Sequence, residues 1–481
     1  MSIDRIQEFL RFGFCLFVLA VSSHSALAAQ PRHRMSPLSV IGPQAIPAID
    51  PGPPGLFTCQ VGMAPYVCYD PQQMRRAYQI DALINAGYTG AGRTIVIVDA
   101  FQSPTLVADL ANFDSAFHLP PISLAQVAPD GLTPVDPDSG LMASWALEMT
   151  LDVEWAHAIA PGARIVLVLA KSDQDADLLS ALKYAVDHNL GDVVSMSWGE
   201  YEICMDPATL SGFHDVFAAA ALKGITMVAS SGDIGAVGTC DFATFERGVN
   251  FPASDPLVMA VGGTELHAAD YCLAEFGCNP ATHPLPGTYE GEIVWTEFDF
   301  ESSAGGYSVL FDEPLYQKSA IKGGKGRGVP DVAFNAGILH GVIINVFGGF
   351  HLDGGTSAGS PQWAGIVAIA NQKARHRLGF LNTAIYQLGR ANKAYAASFH
   401  DIIDGSNFFF EVDPNGDLIV VDAFDASPGW DPATGVGTPV VSGLVDSLIK
   451  YVSPLDGLVA VFTTRLQQGR KLHLPHFMTP H

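Results

Sequence analysis

Three short stretches of this chain hold residues whose types and spacing could do chemistry. Ser357 stands in "GGTSAGSP" (354–361), where a glycine-rich turn runs into the apolar stretch "QWAGIVAIANQ". A serine at such a junction is placed like a nucleophile, but its hydroxyl attacks only when a base removes the proton. The chain has 15 histidines. They are scattered, and His157, His214 and His351 each stand alone, so each reads as a surface or satisfied core residue. Carboxylates are better placed. "SWALEMTLDVEWAHAIAPGA" reads as a helix that stops at "APG", and it puts Glu148 and Asp152 four residues apart on one face. Leu147, Leu151 and Trp155 hold the neighbouring apolar stripe. Taken alone, this pair also suits a solvated helix face. Asp233, in "VASSGDIGA", follows an apolar run and taken alone is as readily a turn aspartate.

The elements that must position these residues alternate in type. "RTIVIVDAF", "ARIVLVLA", "DVVSMSWG", "ITMVASSGD" and "PLVMAVGGT" read as short strands, apolar throughout. "LLSALKYAVDHNL" and "SGFHDVFAAAALKG" read as helices between them. Such strands separated by helices predict an α/β fold whose parallel sheet is covered on both faces. Sites in such folds lie at the carboxyl ends of the strands. Asp99 ends one strand, and Trp198 follows another in "SMSWGE". "FFFEVDPNGDLIVV" reads as a hairpin around "DPNG". Asp413, Asn415 and Asp417 there echo a calcium loop, but the glycine and glutamate such a loop needs are out of place.

The 481-residue chain carries 49 acidic residues against 25 Lys plus Arg, a formal charge of −24. A surface of that sign excludes nucleic acid as an expected partner, and it is compatible with an acidic habitat, where fewer acids ionise. Residues 1–28 read as a secretory signal: Arg5 and Arg11 precede "FGFCLFVLAV", and "ALA" supplies the small-residue cleavage pattern. The apolar run is too short to span a bilayer, so a secreted protein with no membrane attachment after cleavage is expected. Residues 29–56 are rich in proline and read as a flexible leader. Residues 453–481 read as a locally basic appendage. Six cysteines remain outside the signal, Cys59, Cys68, Cys204, Cys240, Cys272 and Cys278, and their spacing fits no zinc pattern. They allow about 15 pairings, and local pairing would give 59–68, 204–240 and 272–278.

"GTS" followed by proline at a helix start resembles the nucleophile motif of the subtilisin family, yet nothing like that family's "HGTH" base segment occurs. "GGTSAGSP", "EMTLDVEWAHAIAPGA" and "VASSGDIGA" together resemble instead the sedolisin family, the serine-carboxyl peptidases. "VVSMSWGE", "FPASDPLVMAVGGTEL", "SSAGGYSVLF", "GRGVPDVAFNA" and "GWDPATGVGTP" agree, and the likeness runs over roughly residues 65 to 450. It implies a subtilisin-like three-layer fold, with a mainly parallel central sheet flanked by helices, over residues 57–452. It implies Ser357 as nucleophile, Glu148 as its base, Asp152 as the acid that holds Glu148, and Asp233 as an oxyanion donor beside the N–H of Ser357. An aspartate donates only when protonated, so the resemblance implies activity at acidic pH. Asp99 would be a supporting acid. Trp198 would pack beside the acids, and the backbone of Trp198 to Glu200 would pair with an extended substrate.

The resemblance also implies one structural Ca2+ site: the carboxylates of Asp401 and Asp431 with the carbonyls of Ile402, Ser427 and Gly429, oxygen donors suited to a hard cation. Ser427 stands where the family usually has glycine. Many relatives carry a long N-terminal prosegment, whereas only about thirty residues separate signal from catalytic region here. The expected function is a secreted, monomeric endopeptidase acting on proteins or peptides. A tripeptidyl-peptidase of the same mechanism, a non-catalytic peptide-binding protein on the same fold and a histidine-dependent peptidase are the alternatives.

Overall fold

The computed structural model describes residues 34–38, 40–44, 56–241, 244–274, 278–297, 301–318, 320–321, 326–412 and 418–471. The signal-like segment 1–28 and the turn holding Asp413, Asn415 and Asp417 lie outside them.

Two short strands come first, β1 (Ser36–Pro37) and β2 (Val40–Gln44). The apolar runs then build the central sheet. Its strands begin with β3 (Thr94–Ala100), β4 (Ser123–Val127), β5 (Arg164–Ala170) and β6 (Val193–Met196). β6 leads through Ser197 into β7 (Trp198–Tyr201), which stands outside the sheet. The sheet continues with β8 (Thr226–Ser230), β9 (Met259–Ala268), β10 (Tyr289–Val294) and β11 (Val332–Asn335). The order is β10-β9-β8-β6-β3-β5-β4, with β11 also on β9. Every pairing is parallel except β9 with β10. The order reverses at β3, whose neighbours β5 and β6 both follow it in sequence. Loops leaving the carboxyl ends on either side of such a reversal splay apart and open a crevice.

Alternation along β3 assigns the two faces, because successive side chains point to opposite sides. Ile95 and Ile97 join the apolar cluster of Met149, Trp363 and Ile366. That face is covered by α2 (Gly140–Ile159) and α5 (Gly359–Ala374), named after α1 (Leu106–Phe117). Val96 and Val98 join Leu178, Leu182, Phe213 and Phe217 on the other face, under α3 (Asp175–Asp187) and α4 (Pro207–Leu222). Each fully buried Leu, Ile or Phe there contributes about 1.5–3 kcal/mol relative to exposure. The three-layer α/β arrangement is therefore the expected one, and Asp99, two residues beyond Ile97, faces α2.

Helix α2 departs from an ordinary amphipathic helix. Every residue from Trp145 to Ile159 is buried, the signature of a helix enclosed on all sides. Glu148 and Asp152 are thus core acids and not a solvated face.

Two further strands, β12 (His340–Val346) and β13 (Gly349–Gly354), form an antiparallel pair that ends just before Ser357. The described residues of the leader, 34–38 and 40–44, expected to lack regular structure, depart from that reading. β1 pairs antiparallel with β7, and β2 pairs antiparallel with β13. Proline and the absence of periodicity hide these strands locally; they exist because two strand edges elsewhere in the chain accept them. The tail carries one described helix. Its helix α6 (Asp456–Lys471) packs on α4, burying Ala460 and Val461. The three disulfides are the local ones: 59–68, 204–240 and 272–278.

Candidate active site

Four of the expected residues converge at the carboxyl end of the sheet. Glu148 and Asp152 are fully buried on α2, and α2 packs on the short 3-10 turn Thr356–Ala358 that carries Ser357. Asp99 is fully buried, and neither of its carboxylate oxygens has a hydrogen-bond partner among the described residues. Burial pushes its acid up to about 8. Burial, and then the neighbouring Asp99, hold Asp152 well above the usual carboxylate range; a hydrogen bond from Ser197 opposes this and Asp353 adds to it. Acids this close in a low-dielectric interior cannot all ionise. The site is built to retain protons.

Ser197 links the two halves of the site. Its hydroxyl donates to Asp152 Oδ1 at 2.7 Å, and its carbonyl accepts from Ser357 Oγ at 3.3 Å. Trp198, the next residue, is buried and donates its indole N–H to the carbonyl of Val98 at 2.6 Å. It therefore braces the strand end that presents Asp99. No histidine shares this arrangement among the described residues: His157 binds the Pro120 carbonyl, His214 pairs with Asp255, and His351 lies on β13.

Asp233 follows β8 and is 7% exposed. Its Oδ1 accepts two hydrogen bonds from Thr356, from the main-chain N–H and from the hydroxyl. Its Oδ2 is buried with no partner among the described residues. Burial raises the acid to about 7 despite the two Thr356 bonds. Gly355 explains the glycine before "TS". Its φ is +84°, and a Cβ there would collide with both Asp233 Oδ2 and the Leu38 carbonyl oxygen. The space beside Gly355 is thus bordered by a carboxyl oxygen able to carry a proton, and the N–H of Ser357 reaches the same carbonyl at 3.3 Å.

That carbonyl belongs to the leader. Ser36 and Pro37 pair with Gly199 and Trp198, Leu38 N–H donates to Ser197 O at 3.2 Å, and Met35 N–H donates to Asp173 O at 3.1 Å. Arg34 bridges to Gln174. Beyond the serine, Val40 and Ile41 pair with Gly354 and Asp353. The strand edge expected to take an extended substrate holds an extended segment of the same chain.

Among the candidate calcium ligands, the carboxylates of Asp401 and Asp431 both reach the turn Ser427–Asp431. Gly429 N–H donates to both oxygens of Asp401, at 3.0 and 3.2 Å, and Ser427 N–H donates to Asp431 Oδ2 at 3.1 Å. Asp431 Oδ1 accepts from the N–H groups of Ala433 and Thr434. Buried Ile402 directly follows Asp401. Neither carboxylate is in an ion pair with Lys or Arg among the described residues. Ser427 is not among the residues of positive φ, so its place needs no glycine. Two uncompensated carboxylates around one turn fit a hard cation.

The sequence reading missed Ser197, Thr356 and Asp353. Asp353 is fully buried four residues before the serine and bears on Asp152. Glu301 was missed as well; burial, and then Asp233, raise it to about 7.

Fold and site together define a subtilisin-fold hydrolase site served by carboxyl groups. Residues 140–386 match the Subtilase family. The chain belongs to the sedolisin family, the serine-carboxyl peptidases. It is 33% identical over 415 residues to kumamolisin of Bacillus sp. (strain MN-32), which covers 83% of this chain and 67% of that protein. It is 26% identical over 389 residues to tripeptidyl-peptidase sed4 of Aspergillus fumigatus, covering 69% of this chain and 59% of that one. Pseudomonas sedolisin, a serine-carboxyl proteinase solved with two molecules of pseudo-iodotyrostatin, matches with a TM-score of 0.67 and 26% identity, covering 81% of this chain and 100% of that chain.

Proposed function

We propose that the protein is an acid-active serine endopeptidase. Ser357 Oγ attacks the substrate carbonyl while Glu148 takes its proton, and Glu148 returns that proton to the leaving amine. Asp152 holds Glu148 by sharing a proton within the buried acid group, with Asp99 behind it and Trp198 bracing Asp99. Water then hydrolyses the acyl-enzyme. The oxyanion is met by Ser357 N–H and by Asp233 in its protonated form. Because Thr356 occupies Oδ1 with two donors, the proton of Asp233 belongs on Oδ2, beside Gly355. A donor so placed is worth roughly 10²–10³ in rate.

The observation that carries this reading is the convergence of the Ser357 N–H and unpartnered Asp233 Oδ2 around one carbonyl oxygen, next to a helix of buried acids. Activity falls as pH rises through about 7, where Asp233 loses its proton. It also falls in strong acid, where Glu148 can no longer accept one.

The cleft supports internal cleavage. A five-residue segment, Arg34 to Leu38, precedes the carbonyl at the serine, and an exopeptidase that removes three residues needs that path closed. The relative named as a tripeptidyl-peptidase favours the other reading. An N-acetylated peptide separates the two. An endopeptidase cleaves it internally, whereas a tripeptidyl-peptidase releases tripeptides from the free peptide and leaves the capped one intact.

Asp401 and Asp431, with the carbonyls of Ile402, Ser427 and Gly429, are the residues that would hold a calcium ion, which would supply a structural cross-link and no chemistry. Substrates are proteins or peptides, and the chain acts as a monomer after secretion. The disulfides agree with export, and no helix among the described residues is long and apolar enough to cross a membrane.

A further inference from the structure

Glu265 and His267 lie two positions apart on β9, past the residues that pair with β8, and so share one face of the strand. Leu266 between them points the other way and is fully buried in the core. His340 opens β12 and reaches the same place from a distant part of the chain. Its Nδ1 stands 3.0 Å from Glu265 Oε1, and His267 Nε2 stands 3.3 Å from the same oxygen. The three residues offer ligand atoms that all lie within 4.8 Å of one another. Ligand atoms about 2.0–2.1 Å from a tetrahedral zinc ion stand roughly 3.3 Å apart, so this is the spacing of a ligand set.

The backbone around the three side chains is held on both sides. Buried Asn335 accepts from Leu266 N–H and donates to the His340 carbonyl, each at 2.9 Å, which ties β9 to the start of β12. Glu297 accepts from the N–H groups of Ile338 and Leu339, fixing the turn that delivers His340. Val67 N–H donates to the Leu339 carbonyl at 2.8 Å, next to the 59–68 disulfide. Ligands on elements fixed in this way form a site before the ion arrives. The other His and Cys grouping within ligand reach among the described residues, Cys272, Cys278 and His283, has both sulfurs in a disulfide and offers no thiolate.

We propose that Glu265, His267 and His340 bind one divalent transition-metal ion of the zinc class, which clamps β9 to the turn before β12. Two imidazoles with one carboxylate suit zinc, whereas calcium takes oxygen donors. The site is separate from Asp401 and Asp431 and does not depend on the peptidase reading. Three protein ligands leave a fourth position for water, reached from the side of His267, whose side chain is 44% exposed. The clamp bears on the active site through one bond. Ala336, at the head of the same turn, accepts from Gly355 N–H at 2.8 Å. An ion on His340 therefore stiffens the support under the glycine beside Ser357.

The test uses the full chain at about pH 7.5, where imidazole is largely neutral and free to bind metal. Ca2+ is kept in excess so that an oxygen-donor site does not respond. ZnCl2 is titrated by calorimetry, and thermal melting is followed on the same samples. The wild type is expected to take up one equivalent of Zn2+ and to melt several degrees higher. His267→Ala, Glu265→Gln and His340→Ala are each expected to bind at least about tenfold more weakly and to lose the shift. His267 is the most exposed of the three, so its replacement leaves the packing intact, which melting without zinc checks. His283→Ala removes a histidine that pairs with Asp270 instead, and it should keep the full response. The proposal is overturned if wild-type Tm does not rise with zinc, if the rise survives His267→Ala, or if His283→Ala abolishes it. The first of these results would leave the three side chains as an ion-paired group and nothing more.

Discussion

Thr356 binds a single oxygen of Asp233 twice, with its N–H at 2.8 Å and its hydroxyl at 2.7 Å, both on Oδ1. The opposite oxygen, Oδ2, has no partner among the described residues and borders the space beside Gly355. On the proposed reading, this arrangement makes an acidic residue a hydrogen-bond donor whose supply depends on pH.

Replacing that donor separates its chemistry from its titration. Asp233→Ala is expected to lower kcat by roughly 10²–10³ at every pH, since one oxyanion donor is lost. Asp233→Asn keeps a donor that does not titrate, so activity should persist further above neutrality than in wild type. Steady-state rates across pH check both. Identical alkaline limbs for wild type and Asp233→Asn would exclude Asp233 as the group that sets that limb.

Gly355 tests the same space sterically. At φ +84° a Cβ is strained, and it would press on Asp233 Oδ2 and on the occupant of the oxyanion position. Gly355→Ala should lower kcat by at least about 10²-fold and cost roughly 1–2 kcal/mol in stability. Wild-type kcat in Gly355→Ala would show that the oxyanion does not form there.

Stability should depend on pH in an unusual direction. Burial raises Asp99 to about 8, and Asp233 and Glu292 to about 7. Unfolded, these groups release their protons near pH 4. Between about 4 and 8 the folded chain therefore holds more protons than the unfolded one, so its stability falls as pH rises. The contribution is fully present below about 4 and is lost once pH passes the folded values. Thermal melting should show Tm declining from about pH 4 to pH 8, with a shallower decline in Asp99→Asn. A Tm that climbs over this range would contradict the assignment.

Much of this was legible in the chain. The strands "TIVIVDA" and "RIVLVLA" are buried on both faces, so composition alone revealed them. "EMTLD" placed two acids on one helix face, and "GGTS" placed a serine after a glycine-rich turn. Local patterns could not reveal that α2 is enclosed on every side, because helical spacing says which residues share a face and not what covers it. Ser197 stands inside "VVSMSWGE", but nothing in that stretch marks it as a bridge; its role depends on β6 ending between Asp152 and Ser357. β1 and β2 were invisible for the same reason, since their hydrogen bonds go to β7 and β13, far away in sequence. Tertiary placement, not propensity, makes them strands.

Calcium has its own readout. Calcium bound at Asp401 and Asp431 would stabilise the folded chain by linkage, about 2.7 kcal/mol at a hundredfold excess over Kd. Chelation should lower Tm by several degrees, added Ca2+ should restore it, and Asp401→Ala should remove the response. An unchanged midpoint on chelation would count against the site.

The most direct test of the central claim is the pH dependence of casein or peptide cleavage by wild type, Ser357→Ala and Glu148→Ala. Carboxyl-driven catalysis predicts wild-type activity confined to pH below about 7, near the Asp233 value, with both variants reduced by at least about 10³-fold. Cleavage at about pH 8 that survives Glu148→Ala would contradict it.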